Sequence, residues 1–462
     1  MTQENFSGNG LSHLSTNYDN PANVHLVNYL EIPQLVIDYI RGRQAVLESL
    51  GKWEDRIVFT ALDPTENIPP IFLLKHPLDV QAVWGKSASA LDKTGPFYEA
   101  VRRFAGQGLF TMKEDETWQA RRTVIGPHLQ PKNIAAFGED VDRLTNQMIL
   151  QLRTGGVIHD VHTYIKTLSF QITVKTLLGV DAQTDEALRV ADSLTKINAF
   201  IAANTLMAGL PEWFYRKAPA FLPSTRKAVE TLDTYTRQVL SSPTACASPL
   251  LAHLIAYGPE QSSRLSEKDL HDEVVTILAA GHGTTASAIA FTLQLLAYPT
   301  NRHYQDVIRK DLKRGNKTGA LRLVRNAFLE AMRLYPPIYM TSRETTEDIR
   351  VETPLGKLAI PKGSCVLISP YLTHRHPQFW TDPETFDPNR FEADRGEKIA
   401  YLPFGLGKRR CIGEHFAMNV GSVVLAKMLE QLEFSTDTFS PPLFISTLRP
   451  SSHLQLNVSR VE

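Results

Sequence analysis

The chain has 462 residues, of which 43% are apolar, so it can bury one large core or two ordinary ones. Its 49 Lys and Arg residues balance 49 Asp and Glu residues, which gives a formal net charge of zero and no basic field to attract nucleic acid. The three cysteines (Cys246, Cys365 and Cys411) lie far apart without a disulfide or CxxC pattern, which favours a cytoplasmic location.

The N-terminal residues 1–20 are polar and lack the basic and apolar regions of a signal peptide. The apolar stretch 32–40 is interrupted by Pro33 and is far shorter than the roughly 20 residues that span a bilayer. We therefore predict a loosely ordered segment over about residues 1–30 and no transmembrane segment.

Apolar spacing predicts a helix over residues 35–52, followed by short strands within 56–85 at the apolar runs 57–62 and 71–74. From Phe97 to about residue 300, nearly every segment repeats apolar residues with the 3.6-residue period of a helix. These patterns predict a small β portion near the start and a long helical middle.

After residue 340, the short runs 349–351, 357–360 and 365–368 predict further strands. A Pro-rich loop follows, then a last helix over about 413–432 and strand-like pairs at the C-terminus. The sequence thus predicts one mainly α domain over residues 1–462 with a small β portion.

Residues 401–418, YLPFGLGKRRCIGEHFAM, form a glycine-rich loop that places Cys411 directly before an amphipathic helix. The first turn of a helix presents unpaired N–H groups and the positive end of the helix dipole, which stabilise a thiolate. Gly405, Gly407 and Gly413 permit close approach of the backbone to the sulfur and to a flat cofactor. The alternative is that Cys411 is a small buried hydrophobic residue.

Three further patterns lie on predicted helices. Trp118 and Arg122 share one helix face, as do Glu330 and Arg333. A helix predicted over 272–298 contains AAGHGTT at 279–285, in which each glycine costs about 1 kcal/mol against alanine. Tight helix packing is one explanation for the two glycines.

The heme-binding pattern of cytochrome P-450 enzymes, F-x-x-G-x-R-x-C-x-G, is matched at every defined position by Phe404, Gly407, Arg409, Cys411 and Gly413. The chain resembles this family over roughly residues 95–450, with four motifs in the family's order. The resemblance implies the cytochrome P-450 fold, a helix-rich triangular prism with minor sheets, and heme b with Cys411 as the axial thiolate ligand.

The same resemblance implies roles for other residues. The heme propionates would be bound by Trp118, Arg122, Arg343 and Arg409. The three arginines suit this role because guanidinium groups bind carboxylates bidentately. Phe404 would pack beside the sulfur. The full set that the resemblance assigns to the cofactor is Trp118, Arg122, Ala280, Gly281, Arg343, Phe404, Gly405, Arg409, Cys411 and Gly413. Glu330 and Arg333 would form a buried network with a later arginine, for which Arg390 is the candidate.

On the central helix, the resemblance implies a groove over the heme, with Thr284 orienting oxygen and protons. The family's usual acid is replaced here by Gly283, and His282 is an imperfect substitute because one residue rotates a side chain by about 100°. Three hypotheses follow: water or a substrate group completes the proton relay, the enzyme uses peroxide, or it catalyses an oxidation that depends less on the relay. We favour the first.

The implied function is a heme-thiolate monooxygenase that oxidises a lipophilic molecule such as a fatty acid, terpenoid or polyketide-like compound. Candidate wall residues lie in the segment 199–221, which includes Phe200, Leu206, Met207, Leu210, Trp213 and Phe214, and also at Ile338, Met340 and Ile445–Thr447. Electrons would come from a separate ferredoxin or flavodoxin with its reductase, docking on a basic face that comprises Lys113, Arg121, Lys408, Arg409 and Arg410. The rivals are a peroxide-driven, coupling or isomerising heme-thiolate enzyme and a noncatalytic heme-based binding or sensing protein.

Overall fold

The computed structural model describes residues 24–27, 43–60, 69–152, 156–207, 223–244, 248–257, 265–394, 398–451 and 454–461. The chain divides into two compact units: unit 1 is Met1–Lys93, Met340–Pro383 and Glu397–Arg410, and unit 2 is Thr94–Tyr339, Glu384–Gly396 and Cys411–Glu462. The single-domain organisation stays a prediction. Most of the N-terminal segment predicted to be loosely ordered lies outside the described residues.

Unit 1 is built on a six-stranded sheet with the order β1-β2-β3-β9-β6-β4. Its strands are β1 (Val24–Leu26), β2 (Arg56–Phe59), β3 (Ile71–Leu74), β4 (Leu91–Asp92), β6 (Thr341–Thr345) and β9 (Cys365–Ile368), and a separate hairpin pairs β7 (Ile349–Thr353) with β8 (Gly356–Ile360). The parallel pair β3 and β9 buries Phe72, Leu74, Val366 and Ile368 in one apolar cluster. The strands predicted after residue 340 are confirmed.

The helices of unit 1 are α1 (Arg43–Lys52), α2 (Pro77–Val80) and α14 (Pro370–Thr373), and a π-helical turn follows α2 at Gln81–Lys86. The strand predicted at 71–74 is confirmed by β3, and the run 57–62 begins as the predicted strand, β2. The helical segment that follows at residues 77–86 was not predicted. Pro77 occupies the first helical turn, where its missing N–H is harmless, and His76 Nδ1 accepts the Leu78 N–H at 3.2 Å. Together they start a helix that apolar spacing alone does not indicate.

Unit 2 contains the long helical middle. Its helices are α3 (Pro96–Ala105), α4 (Glu116–Ile125), α5 (Pro131–Ile134), α6 (Gly138–Leu152), α7 (Val161–Leu178), α8 (Thr184–Met207), α9 (Pro223–Ser241), α10 (Pro249–Ala256), α11 (Glu267–Ala297), α12 (His303–Lys313), α13 (Lys317–Leu334) and α15 (Glu414–Gln431). Its strands are β5 (Gly156–Ile158), β10 (Leu432–Ser435), β11 (Pro442–Phe444), β12 (Leu448–Pro450) and β13 (Leu456–Arg460). The predicted mainly α architecture with a small β portion is confirmed.

The central helix α11 has 31 residues and packs along α7. It begins five residues before the predicted start because Ser266 and Asp269 form a capping box that satisfies the first N–H groups. Of the helices in the described ranges, α11 alone is long and apolar enough to cross a bilayer, and 67% of its most apolar window is buried inside the protein. This burial is a property of core helices.

Candidate functional site

Cys411 lies in unit 2, two residues before Gly413, the residue that precedes the first turn of α15. The Cys411 side chain is exposed, although cysteine is one of the most buried residue types in proteins. The N-terminal residue Gly413 offers no side-chain cap, and the positive end of the α15 dipole lies near the sulfur. Gly413 is close to the thiol, since a Cβ there would lie 3.9 Å from Sγ. This setting suits a thiolate ligand.

Arg122 on α4 shares this environment. Burial lowers the pKa of the Arg122 guanidinium, whereas the negative charge of a Cys411 thiolate opposes that shift. Its Cζ lies 5.5 Å from the centroid of the Trp118 ring, as expected for two residues one turn apart on one helix face. The Trp118 indole Nε1 donates to the Leu109 carbonyl at 3.2 Å. Arg122 thus places a cation near Cys411, while the Trp118 N–H is engaged within unit 2.

The loop before Cys411 belongs to unit 1 and depends on two glycines with left-handed backbone angles, Gly405 (φ 73°) and Gly407 (φ 69°). A Cβ at Gly407 would lie 2.8 Å from the Trp84 carbonyl oxygen, so only glycine fits there. The fully buried His374 holds the start of the loop, because its Nε2 accepts the Leu402 N–H at 2.7 Å. The sequence did not predict a role for His374. Its position in the segment HRHP, residues 374–377, was the one signal that could have indicated it.

Arg343 lies on β6 in unit 1 and is 8% exposed. Its guanidinium stacks over the Trp84 ring, 4.6 Å from the centroid, and Nη1 donates to the Ser342 carbonyl at 2.7 Å. Within the part of the chain that the structure describes, the buried Trp84 Nε1 has no hydrogen-bond partner. A buried cation beside an unsatisfied N–H donor is suited to an anionic group such as a carboxylate.

One face of α11, the open face, consists of Ala280, Gly283 and Thr284. Ala280 is exposed near the middle of the helix, and Gly283 and Thr284 are partly exposed. A Cβ built at Gly283 meets nothing within 4 Å. The Thr284 hydroxyl donates to the Ala280 carbonyl at 2.9 Å. The open face therefore offers space and one hydroxyl group.

The opposite face, the closed face, consists of Gly281, His282 and Thr285 and packs toward α7. A Cβ at Gly281 would lie 2.7 Å from Thr173 Cγ2, and the Gly281 carbonyl accepts the Ser169 hydroxyl at 3.1 Å. Gly281 therefore serves helix packing, and its missing side chain does not widen the open face. The two glycines of the AAGHGTT segment have different roles.

His282 is 1% exposed, and its Nδ1 lies 2.9 Å from the Leu278 carbonyl. Burial lowers the pKa of His282 to about 4, so the imidazole is neutral near pH 7. It is rotated by about 160° from Thr284 around the helix axis. This position argues against a direct proton transfer from His282 to the Thr284 hydroxyl.

Glu330 and Arg333 on α13 are both fully buried. Arg333 Nε donates to Glu330 Oε2 at 2.7 Å, and Arg390 Nε donates to Glu330 Oε1 at 3.2 Å. Glu330 Oε1 also accepts the Asp387 N–H at 3.0 Å. The predicted partnership with Arg390 is present, and it fixes the geometry of the loop around residue 390.

The cytochrome P450 family model matches residues 68–458 of the chain. The chain belongs to the cytochrome P450 family. It is 29% identical to cyclooctatin synthase from Streptomyces melanosporofaciens, covering 77% of this chain and 79% of that protein. It is 31% identical to cyclooctat-9-en-7-ol 5-monooxygenase from the same organism, covering 77% and 78%. It is 27% identical to the ultra-long-chain fatty acid omega-hydroxylase of Homo sapiens, covering 80% and 75%.

Solved structures agree with this assignment. The crystal structure of CYP175A1 from Thermus thermophilus aligns with a TM-score of 0.75 and 25% identity, covering 94% of this chain and 100% of that chain. A 6-coordinated cytochrome P450 from a second strain of the same organism aligns with a TM-score of 0.72 and 25% identity, covering 90% and 98%. The chain is thus a cytochrome P450 monooxygenase, and the predicted family and fold are confirmed.

Cytochrome P450 enzymes carry a heme whose iron is bound by a cysteine thiolate. Each unit of this cytochrome P450 has residues that fit such a group. Unit 2 offers the exposed Cys411 thiol, the Arg122 cation and the open face of α11. Unit 1 offers Arg343 and the unsatisfied Trp84 N–H. In unit 2, Cys411 has the chemistry of a thiolate ligand to a metal, and in unit 1, Arg343 has the chemistry of a partner for an anionic group.

The residues predicted to form a basic face have different environments. Lys408, Arg410 and Lys113 are exposed. Arg121, in contrast, is 4% exposed and forms ion pairs with Asp269 at 2.6 Å and Glu273 at 2.9 Å. Including Arg121 in a docking surface was therefore wrong, because its charge is neutralised inside unit 2.

The predicted wall residues are described only in part. Phe200 on α8 packs edge to face with Phe104, with ring centroids 5.7 Å apart, and Ile338 is 37% exposed. Leu210, Trp213 and Phe214 lie outside the described residues, as do the side chains of Leu206 and Met207. The turn Ile445–Thr447 is partly exposed, and Tyr339 Oη donates to the Ile445 carbonyl at 2.7 Å.

Proposed function

We propose that this cytochrome P450 binds heme b through Cys411 and inserts one oxygen atom from dioxygen into a lipophilic small molecule. The observation that carries this proposal is the exposed Cys411 thiol before the uncapped first turn of α15, in electrostatic contact with Arg122. When bound, the heme supplies the activation of dioxygen.

The chain's own residues have separate tasks in this proposal. Arg122, Arg343 and Arg409 bind the propionates, since each guanidinium can donate two parallel hydrogen bonds to a carboxylate. Phe404, Gly405 and Gly413 shape the loop around the Cys411 sulfur. On the open face of α11, Ala280 leaves room for the cofactor, and the Thr284 hydroxyl holds a proton that it can turn toward the reacting oxygen.

Proton supply is the step in which this chain departs from its family. The open space at Gly283 accepts a water molecule or a polar group of the substrate, which completes the relay to Thr284. Replacing Gly283 with Glu should then change product formed per reductant only modestly. A large gain in hydroxylation would instead support a native reaction other than hydroxylation.

The same open space favours a second candidate function, oxidation driven by peroxide, which needs no proton relay for oxygen reduction. Product formation with hydrogen peroxide alone is compared with formation with a surrogate ferredoxin and its reductase. Faster turnover with the ferredoxin system supports the monooxygenase, and faster turnover with peroxide supports the second candidate. A noncatalytic sensor would bind ligands and form no product in either assay.

The apolar residues predicted to line the pocket, such as Phe200 and Ile338, support a lipophilic substrate. The names of the relatives support the same class, since one acts on a fatty acid and another on cyclooctat-9-en-7-ol. We assign a lipophilic substrate of the fatty acid, terpenoid or polyketide-like type.

Electrons come from a ferredoxin or flavodoxin with its reductase in the cytoplasm. The exposed Lys408, Arg410 and Lys113 support docking of an acidic partner. If these charges mediate docking, partner-driven reduction slows at high salt, because salt screens exposed charges. A rate that is independent of salt would argue against this partner class.

The decisive experiment is the absorption spectrum of the reduced protein under carbon monoxide, recorded beside a Cys411→Ser variant. A red-shifted Soret band that the variant loses is the expected result for thiolate ligation. A band typical of histidine ligation, or no heme, would overturn the proposal. The variant's unfolding transition controls for loss of structure.

A further inference from the structure

Three side chains of types that bind metals lie at one end of the six-stranded sheet of unit 1. They are Asp55, His76 and His376, here the unit 1 triad. Each offers one ligand atom, and these three atoms lie within 4.8 Å of one another. Ligand atoms around a tetrahedral zinc ion with bonds of about 2.1 Å are about 3.4 Å apart. Side-chain movements of about 1 Å would therefore let all three bind one ion.

Hydrogen bonds to the backbone hold the three segments of the triad together. Asp55 directly precedes β2, and its carbonyl accepts the Lys75 N–H at 3.0 Å. His76 follows Lys75 and directly precedes α2. The Lys75 carbonyl accepts the Thr373 hydroxyl at 3.0 Å, and the Thr373 carbonyl accepts the His376 N–H at 3.2 Å. The triad therefore lies on a connected frame, which lowers the entropy that is lost when an ion orders the ligands.

The triad already contains hydrogen bonds that a metal would replace. His376 Nε2 lies 3.0 Å from Asp55 Oδ1, and His76 Nε2 lies 3.1 Å from Gln378 Oε1. The two Nδ1 atoms accept the N–H groups of Leu78 at 3.2 Å and Gln378 at 3.4 Å, so each neutral ring carries its proton on Nε2. A metal at Nε2 moves that proton to Nδ1. The two long bonds that are lost are weak, and zinc coordination outweighs them.

The charges of the triad suit a cation. Burial raises the pKa of Asp55, but the hydrogen bond from His376 and nearby positive charges lower it more, so the carboxylate is ionised at neutral pH. Burial lowers the pKa of His76, which keeps this imidazole neutral, as a metal ligand must be. The ammonium of the neighbouring Lys75 is bound by three backbone carbonyls within residues 50–53, at 2.6–3.2 Å.

The surroundings of the triad leave one side open. The Phe379 ring packs edge to face on His76 and His376, with ring centroids 5.3 and 5.5 Å away. Asp55 is 25% exposed and Gln378 is exposed, so an ion can enter from solvent, and water or Gln378 Oε1 can complete its coordination. Two imidazoles and one carboxylate are ligands that zinc prefers, whereas magnesium and calcium prefer oxygen ligands alone.

We propose that Asp55, His76 and His376 form a zinc-binding site in unit 1. The ion joins the start of β2, the start of α2 and the segment after α14, so its role is to stabilise unit 1. The proposal does not depend on Cys411 or on the reaction. Because zinc binds the folded frame more tightly than the unfolded chain, stability rises with zinc concentration.

The test is equilibrium dialysis of the heme-loaded protein against zinc chloride at pH 7.5, with bound zinc measured by mass spectrometry. The triad variants are His76→Asn, His376→Gln and Asp55→Asn. His76→Asn preserves the start of α2, because asparagine is a favourable N-cap whose side chain can accept the Leu78 N–H. The carbon monoxide spectrum of each variant checks that the chain has folded around its heme.

A second pair of histidines provides the matched control. His128 Nε2 and His253 Nδ1 lie 3.0 Å apart on the surface of unit 2, where they could also bind zinc. We expect the native protein and His128→Gln to bind zinc with equal affinity at one site. Each triad variant should bind it at least about tenfold more weakly, since even a residue that only supports a ligand is worth that much.

Thermal unfolding gives an independent readout. The Tm of the native protein should rise with zinc concentration and fall back when a chelator is added, while the Tm of the triad variants should not respond. A native protein that binds no zinc, or triad variants that bind it as tightly as the native protein, would refute the proposal. Loss of zinc binding in His128→Gln alone would place the ion at the other pair. Equal competition by magnesium would contradict a site built from imidazoles.

Discussion

The open and closed faces of α11 divide six consecutive residues, 280–285, between them, yet the two faces have different surroundings. On the closed face, Gly281 and His282 are packed against α7 so tightly that a single added methyl group would contact Thr173. On the open face, Gly283 has no neighbour where a side chain would begin, and Ala280 is exposed. A residue type such as glycine therefore does not reveal its role until the neighbouring helix is known.

Filling the closed face should have the largest effect. Gly281→Val places a Cβ 2.7 Å from Thr173 Cγ2 and should lower the free energy of unfolding by about 1–3 kcal/mol, as overpacking does. Urea denaturation followed by circular dichroism measures this loss. If Gly281→Val is as stable as the native protein, Gly281 does not pack tightly against Thr173. Gly281→Val combined with Thr173→Ala should recover part of the loss, because the clashing side chain is removed.

The buried His282 imidazole on the closed face should also resist protonation. Because the pKa of His282 falls to about 4 in the folded chain and is about 6.5 when unfolded, the unfolded state binds the proton first as the pH drops. The stabilising contribution is complete above pH 6.5 and is lost as the pH falls toward 4. The free energy of unfolding that is lost between pH 7 and pH 5 is about 2 kcal/mol.

A His282→Leu variant should therefore lose about 2 kcal/mol less stability than the native protein between pH 7 and pH 5. Urea unfolding at both pH values gives the change in the free energy of unfolding for each protein. An identical change in the two proteins would mean that His282 is accessible to protons, in conflict with its burial.

Changes on the open face should affect chemistry more than stability. Thr284→Ala removes the hydroxyl that donates to the Ala280 carbonyl, and product formed per reductant should fall by about tenfold or more as protons arrive less efficiently. Oxygen uptake and product are measured together to obtain the ratio. Thr284→Ser keeps the hydroxyl and should retain most of the coupling. An unchanged ratio in Thr284→Ala would remove Thr284 from the proton relay.

The smallest effect is expected for Gly283→Ala. Because the position is open and helical, the added methyl group should raise the free energy of unfolding by at most about 1 kcal/mol, the helix propensity difference between the two residues. Urea denaturation of Gly283→Ala and Gly281→Val under the same conditions compares their free energies of unfolding directly. A destabilised Gly283→Ala would show that the open face is filled.

The sequence predicted local pairs better than long-range packing. The Glu330 and Arg333 pair is confirmed, because a three-residue spacing on one helix is a local property. The roles of Cys411 and Thr284 stay predictions. The Arg390 contact was also predicted, but only through the family resemblance, since the partners are 60 residues apart.

Long-range packing explains what could not be predicted. Arg121 was assigned to the surface because the positions of Asp269 and Glu273 beside it depend on how α4 meets α11. The roles of Gly281 and Gly283 could not be told apart for the same reason, because residues 279–285 do not predict where α7 packs. His374 was missed because its partner, the Leu402 N–H, is a backbone group that any residue would provide.

The network around Glu330 has a consequence for how the protein is made. Arg390 is translated 60 residues after Glu330, which takes about 3–12 s at a ribosome speed of about 5–20 residues per second. During that interval, Glu330 lacks Arg390 and the Asp387 N–H, and the chain emerging between them contributes the segment Met340–Pro383 to unit 1. Unit 2 therefore cannot complete its core during synthesis until unit 1 has received most of its residues, and a nascent chain that stops before residue 384 leaves the Glu330 carboxylate with only Arg333.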